Sequence, residues 1–171
     1  MSGIATETAR YIAEVAGTGV TILDTRKTMP GLRKLDKYAV RIGGGTNHRS
    51  GLFDAVLVKD NHIRAAGGLN NAVNNILQTR NEELSIQVEC DTLEQLEECI
   101  ILGVDLVLLD NMDANDLRKA VELSDGRARL EASGGITLEN VREIAETGID
   151  FISVGAITHS VTALDIGLDF D

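Results

Sequence analysis

The chain has 171 residues, 43% hydrophobic and 25% charged, the composition of an ordinary globular domain with one sizeable core. Sixteen basic against 27 acidic residues leave a net charge of −11, which argues against general affinity for nucleic acid or an anionic membrane. Three Phe, two Tyr and no Trp leave little for base stacking, and the most apolar stretch, 100–109, is too short to span a bilayer.

In chain order, Ile4, Thr8, Tyr11, Ile12 and Val15 fall on one face of an N-terminal helix over residues 2–16. Seven short apolar runs follow, at 20–23, 38–42, 55–58, 86–89, 106–109, 129–132 and 151–154, and each reads as a buried parallel strand. Helical patterns separate the later runs. Thr92 with Gln95 is a capping box, Asp113 caps the next helix, and Thr137 caps a third that Gly148 stops. The last four strand ends, Val88, Leu109, Ala132 and Val154, are 21, 23 and 22 residues apart, enough for one strand, one helix and two tight loops. A leucine-rich repeat has a similar period, but its signature is absent. Strand–helix alternation predicts a parallel α/β architecture. Gly43-Gly44-Gly45 lacks the glycine spacing of a dinucleotide-binding turn, so an α/β barrel is expected over an open doubly wound sheet.

Functional residue types cluster where these strands end. Arg26 and Lys27 follow the first run, His48 and Arg49 the second; Lys59 ends the third, Glu89 the fourth and Asp110 the fifth. Ser133-Gly134-Gly135 follows the sixth and Gly155-Ala156 the seventh. Barrels of this type carry their active sites on that carboxyl rim. Residues 20–65 hold nine Lys or Arg against four Asp, a local balance of +5 inside an acidic chain. That balance reads either as an anion site or as a solvated basic face. Arginine forks suit a ligand with two or more carboxylates, Glu89 and Asp110 suit magnesium or sugar hydroxyls, and bare glycine N–H groups suit a phosphate. The rim therefore asks for an acidic small molecule plus a phosphorylated sugar.

The stretches DTRKTMPGLRKLDKYAV, GGGTNHRSGLFDAVLVKDNH, LLDNM, EASGGI and ISVGAITHS resemble quinolinate phosphoribosyltransferase, the carboxylating nicotinate-nucleotide pyrophosphorylase. The resemblance runs from Ser2 to Phe170 and implies a TIM-like α/β barrel of seven strands. It implies conversion of quinolinate and phosphoribosyl pyrophosphate to nicotinate mononucleotide, pyrophosphate and carbon dioxide, with Mg2+, in NAD biosynthesis. Arg26, Lys27, His48, Arg49 and Lys59 match the positions that bind quinolinate. Glu89, Asp110, Ser133, Gly134, Gly135, Gly155, Ala156 and His159 match those that bind phosphoribosyl pyrophosphate. Glu89 and Asp110 would hold the metal through substrate or water, and Lys27, Lys59, Glu89 and Asp110 are the expected catalytic set. A structural Lys59–Glu89 ion pair and an Asp110 helix cap are the plain alternatives. His62, Cys90 and Cys99 read as packing or surface residues.

The family also carries an N-terminal α/β sandwich domain that lends an arginine to a neighbouring subunit's pocket, so a homodimer or higher oligomer is implied. That domain is absent from this sequence, and the expectation is a fragment or half of a split enzyme. Residues 1–163 are expected to form the barrel. Residues 164–171 are expected to form a C-terminal tail strand, alternating Ile166, Leu168 and Phe170, that pairs with the missing domain. No secretory leader pattern precedes residue 20 and the cysteines are few, so a cytoplasmic protein is expected. Two other readings stand beside the transferase. One is a related transferase-like protein of molybdenum-transport operons; the other is a non-catalytic phosphosugar-binding fragment.

Overall fold

The computed structural model describes residues 1–79 and 84–170. Helix α1 (Ser2–Glu14) buries Ile4, Thr8 and Tyr11, as its periodicity predicts, and leads to strand β1 (Thr21–Leu23). Helix α2 (Arg33–Ile42), β2 (Val56–Val58), α3 (Asp60–Ala66) and α4 (Leu69–Thr79) follow. From there strands and helices alternate strictly: β3 (Ile86–Cys90), α5 (Leu93–Ile101), β4 (Leu106–Asp110), α6 (Ala114–Ser124), β5 (Arg129–Ser133), α7 (Val141–Ala145), β6 (Phe151–Ser153) and α8 (Ala156–His159).

The six strands form one all-parallel sheet in the order β1-β6-β5-β4-β3-β2. Residues from every strand or the loop after it line a single cleft, so the sheet curls around its own carboxyl end. One expected strand is missing. Residues 38–42 belong to α2, where Asp36, Lys37, Ala39 and Val40 are buried while Tyr38 and Ile42 are exposed. That pattern has the period of a helix, and a five-residue apolar run by itself does not distinguish the two. The second position is taken instead by a single parallel bridge, Leu23 to Thr46.

Strand alternation separates two environments. Val58, Val88, Val107, Leu109, Leu130 and Ile152 face the helices and join the main apolar core with Leu96, Leu117, Val141 and Ile157. The other parity, including Gln87, Glu89, Leu108, Asp110, Glu131 and Ser153, faces the interior of the curl. Most loops follow their sequence signals. Asp113 accepts the Asn115 and Asp116 N–H groups at the start of α6. Thr92 accepts from Gln95 N–H at 3.3 Å, but the Gln95 side chain reaches the N–H of Asp91 rather than that of Thr92. α7 begins later than predicted: Thr137 opens a turn, accepting the Val141 N–H at its carbonyl, and the helix starts at Val141.

The tail forms no strand among the described residues, and Asp171 lies outside them. Just before it the chain crosses α1 at Gly3, where a Cβ would sit 2.3 Å from the Thr162 carbonyl oxygen. Beyond that point Leu164, Ile166, Leu168 and Phe170 are exposed. The alternation predicts a strand, but a strand needs neighbouring N–H and C=O groups, and no described segment of this chain supplies them. Among the described residues no helix is long and apolar enough to cross a membrane.

Candidate functional site

The residue after β1 is Asp24, which has no exposed surface. Its Oδ1 accepts from Lys37 Nζ at 2.6 Å and from the His48 backbone N–H at 2.8 Å, while Oδ2 accepts from Asn47 Nδ2 at 2.7 Å. Lys37 Nζ donates again to the His48 carbonyl at 2.9 Å. Removing two charges from water is costly, and it is sustained here because both partners are hydrogen-bonded on several sides. The consequence is geometric. α2 and the 47–49 segment are fastened to the end of β1, so Arg26 and Arg49 emerge on the same side.

They emerge into a cleft of about 290 Å³ at the carboxyl ends of the strands. Arg26, Lys27, His48, Arg49, Lys59, Glu89, Asp110 and Ser133, eight of the predicted residues, line it together. A larger hollow of about 430 Å³ lies alongside, but Glu89 is the one predicted site residue in its wall. The chemistry is concentrated in the smaller cleft.

Arg26 Nη1 donates to the Gly51 carbonyl at 3.4 Å and Arg49 Nη1 to the Ala55 carbonyl at 3.0 Å. Among the described residues neither guanidinium forms a salt bridge. Burial, then the nearby Arg26 charge, hold the Arg49 guanidinium below the usual arginine range. Two adjacent, partly buried cations of this kind favour an anion between them. Lys59 pairs with Glu89 across the rim, the plain alternative weighed from sequence. Asp110 caps no helix; its Oδ2 accepts from Asn111 Nδ2 at 2.8 Å, and Asp113 is the cap of α6.

The glycine turns flank the cleft rather than line it. Gly134 has φ +91, and a Cβ there would lie 2.2 Å from Asn111 Oδ1, so the turn closes tightly on the Asp110-Asn111 pair. Gly135 has φ +62 with open space around it. A Cβ on Gly155 would meet His159 Nε2 at 2.9 Å and Lys27 Cδ at 3.7 Å, which brings those residues to one corner. Thr158 Oγ1 ties that corner down by donating to the Lys27 carbonyl at 2.6 Å. His159 is exposed, its Nδ1 2.6 Å from Ser160 Oγ, and Ala156 packs on the apolar core.

The family model described as quinolinate phosphoribosyl transferase, C-terminal domain, matches residues 4–169. The chain belongs to this family. It is 51% identical over 172 residues to the carboxylating nicotinate-nucleotide pyrophosphorylase of Mycobacterium leprae, covering 99% of this chain and 60% of that protein. The probable enzyme of that name from Bacillus subtilis is 46% identical over 169 residues, covering 99% of this chain and 58% of its own length. The crystal structure of the Ehrlichia chaffeensis nicotinate-nucleotide pyrophosphorylase superposes with a TM-score of 0.93 at 48% identity, covering 98% of this chain and 61% of that one. The chain thus spans about three fifths of the length of these phosphoribosyl transferase relatives.

The strand-end pattern leaves out several residues of this cleft. Thr25, Leu57, Leu108, Glu131 and Ser153 also line it, Asp24 and Lys37 position it, and Asn111 fills the turn at Gly134. A signal was present for Glu131 and Gln87: each is polar, buried and flanked by apolar residues in mid-strand. The two thiols read as packing residues are buried, with sulfurs 3.5 Å apart, and that contact together with burial pushes the Cys90 thiol pKa up, away from reactivity.

Asp24→Ala leaves the Lys37 ammonium buried without its partner and is expected to cost about 3–5 kcal/mol of stability, measured by urea unfolding. Gly134→Ala is expected to cost about 1–3 kcal/mol from its left-handed backbone, with the added methyl displacing Asn111 from Asp110. An unchanged unfolding midpoint for either variant contradicts this account.

Proposed function

We propose that this domain carries the transfer of a phosphoribosyl group from phosphoribosyl pyrophosphate to quinolinate, with loss of one carboxylate as carbon dioxide, in NAD biosynthesis. The observation that carries the reading is one cleft lined by Glu89, Asp110 and two guanidiniums, Arg26 and Arg49, that form no salt bridge among the described residues. Names of relatives near half identity point the same way.

In this reading Arg26 and Arg49 hold the two carboxylates of quinolinate as bidentate forks, with Lys27 adding charge from the same loop. The ring nitrogen then attacks the anomeric carbon of the ribose as the bond to pyrophosphate breaks. Positive charge develops on the sugar, and the carboxylates of Glu89 and Asp110 stabilise it electrostatically. Ser133 and the turns at Gly134, Gly135, Gly155, Ala156 and His159 hold the phosphate of the sugar. Lys59 exchanges its Glu89 partner for the incoming anion. The carbon–carbon bond to one carboxylate then breaks, its electron pair remains on the ring carbon beside the cationic nitrogen, and a proton takes its place. Lys27 and Lys59 are the cations placed to assist that step.

Two hard oxygen donors on adjacent strand ends fit Mg2+, which commonly takes one or two carboxylates and completes its shell with water and substrate phosphate. Among the described residues no cluster of three metal-ligating side chains occurs. When bound, Mg2+ supplies charge neutralisation of the departing pyrophosphate. The pocket is shared with a partner in the same proposal: an N-terminal domain from a second subunit covers the mouth, and the exposed tail pairs with it. A cytoplasmic setting suits the reduced thiols.

The test is product identification by mass after incubation with quinolinate, phosphoribosyl pyrophosphate and Mg2+, with and without the family's N-terminal domain supplied separately. The chain alone is expected to bind phosphoribosyl pyrophosphate yet turn over poorly, and to form nicotinate mononucleotide once the domain is added. No product with the domain present sinks the reading; full activity without it sinks the shared pocket. Arg49→Ala is expected to weaken quinolinate binding about 10- to 150-fold in calorimetry while leaving phosphoribosyl pyrophosphate affinity unchanged.

A further inference from the structure

At the floor of the cleft, where His48 and Glu131 line its wall and Gln87 lies behind them, is a polar cluster that none of the roles above uses. Glu131, in the middle of β5, is 1% exposed and its Oε2 accepts from Gln87 Nε2 at 2.6 Å. Gln87 Oε1 lies 3.0 Å from His48 Nε2, and Glu131 Oε2 lies 3.4 Å from the same nitrogen. The other ring nitrogen is also engaged: Arg49 N–H donates to His48 Nδ1 at 2.8 Å.

These contacts fix the protons. A backbone N–H pointing at Nδ1 requires that nitrogen to be unprotonated, so the neutral ring carries its hydrogen on Nε2. That hydrogen meets the Gln87 carbonyl, which is oriented because the amide's NH2 end is held by the Glu131 carboxylate. The direction of every bond follows from the one acceptor-only group at the end of the chain. The arrangement also leaves neither ring nitrogen of His48 free for a ligand, although the resemblance groups His48 with the quinolinate-binding residues.

A buried carboxylate below a site for a dianion opposes binding unless it does something else there. Among the described residues its Oε1 has no hydrogen-bond partner, so its contacts to Gln87 and His48 run through Oε2 alone. We propose that Glu131 is a positioning residue: through Gln87 and by direct contact it locks the His48 imidazole in the Nε2–H tautomer, so that Nδ1 anchors the Arg49 backbone and aims its guanidinium into the cleft. Arg49 reaches the ligand; Glu131 acts only through His48. The inference rests on the proposed reading of Arg49 as a quinolinate fork, but its structural half stands apart from it.

The experiment pairs 15N–1H spectra of the histidine rings with calorimetry on wild type, Glu131→Leu and Glu131→Gln. In wild type His48 is expected to show the single Nε2–H tautomer; a mixture, or the Nδ1–H form, overturns the proposal without any variant. Glu131→Leu is expected to give mixed tautomers and to weaken quinolinate binding about tenfold, the scale of one charge-assisted hydrogen bond, with phosphoribosyl pyrophosphate binding unchanged. Glu131→Gln keeps an acceptor for Gln87 and is expected to retain the tautomer and most of the affinity. Equal losses in both variants overturn the positioning role, as does a folded Glu131→Leu with wild-type tautomer and affinity. If wild type binds no quinolinate even with the N-terminal domain added, the functional reading fails, while the tautomer spectra still decide the role of Glu131.

Discussion

Asp24 and Lys37 face each other out of contact with water, and the geometry of the cleft follows from that pair. One carboxylate gathers a lysine from α2, an amide from Asn47 and the backbone N–H of His48, while the lysine returns a bond to the His48 carbonyl. Segments separated in sequence are thereby fixed to the end of β1. A fully buried, multiply bonded ion pair is directional in a way that apolar packing is not, because misplacing either partner strands a charge in a low-dielectric interior. The same pair lets the 46–49 segment, joined to β1 by a single bridge from Thr46 to Leu23, carry His48 and Arg49 in a fixed direction.

The sheet divides labour between its two faces. Its outward residues make an apolar core with the helices, which accounts for stability in the usual way. Its inward residues are unusually polar for a curled sheet of this size, with Gln87, Glu131 and Ser153 buried there. Barrels of this class generally fill the interior with branched apolar side chains. Here polar groups support the residues at the mouth, so chemistry at the rim and packing below it are parts of one hydrogen-bonded assembly.

Electrostatics follow the same division. Much of the acidic surplus lies on exposed helix faces, as with Glu94, Glu97 and Glu143, or in the turns flanking α7, as with Glu139 and Glu146, where water screens it. The basic surplus of residues 20–65 is drawn inward at Arg26 and Arg49, where partial burial makes charge count for more. An acidic protein with a local cationic cleft attracts anions selectively, and the Lys59–Glu89 pair at its edge keeps one more cation in reserve.

Much of this was legible in the amino-acid order. Apolar runs bounded by turns located six strands, caps at Thr92 and Asp113 located two helices, and the placement of charged residues after strands located the rim. Local patterns suffice for these because they reflect local physics: side-chain alternation, unsatisfied N–H groups and glycine turns. They fail where a partner decides. Residues 38–42 became helix because α1 covers Ala39 and Val40. The amino-acid order alone was enough to show which charged residues and glycines stand at the carboxyl ends of the strands. Only the tertiary structure decided that His48 faces Gln87 and Glu131, and that Asp24 anchors Lys37, because those contacts join residues far apart in sequence whose side chains meet only when the sheet curls.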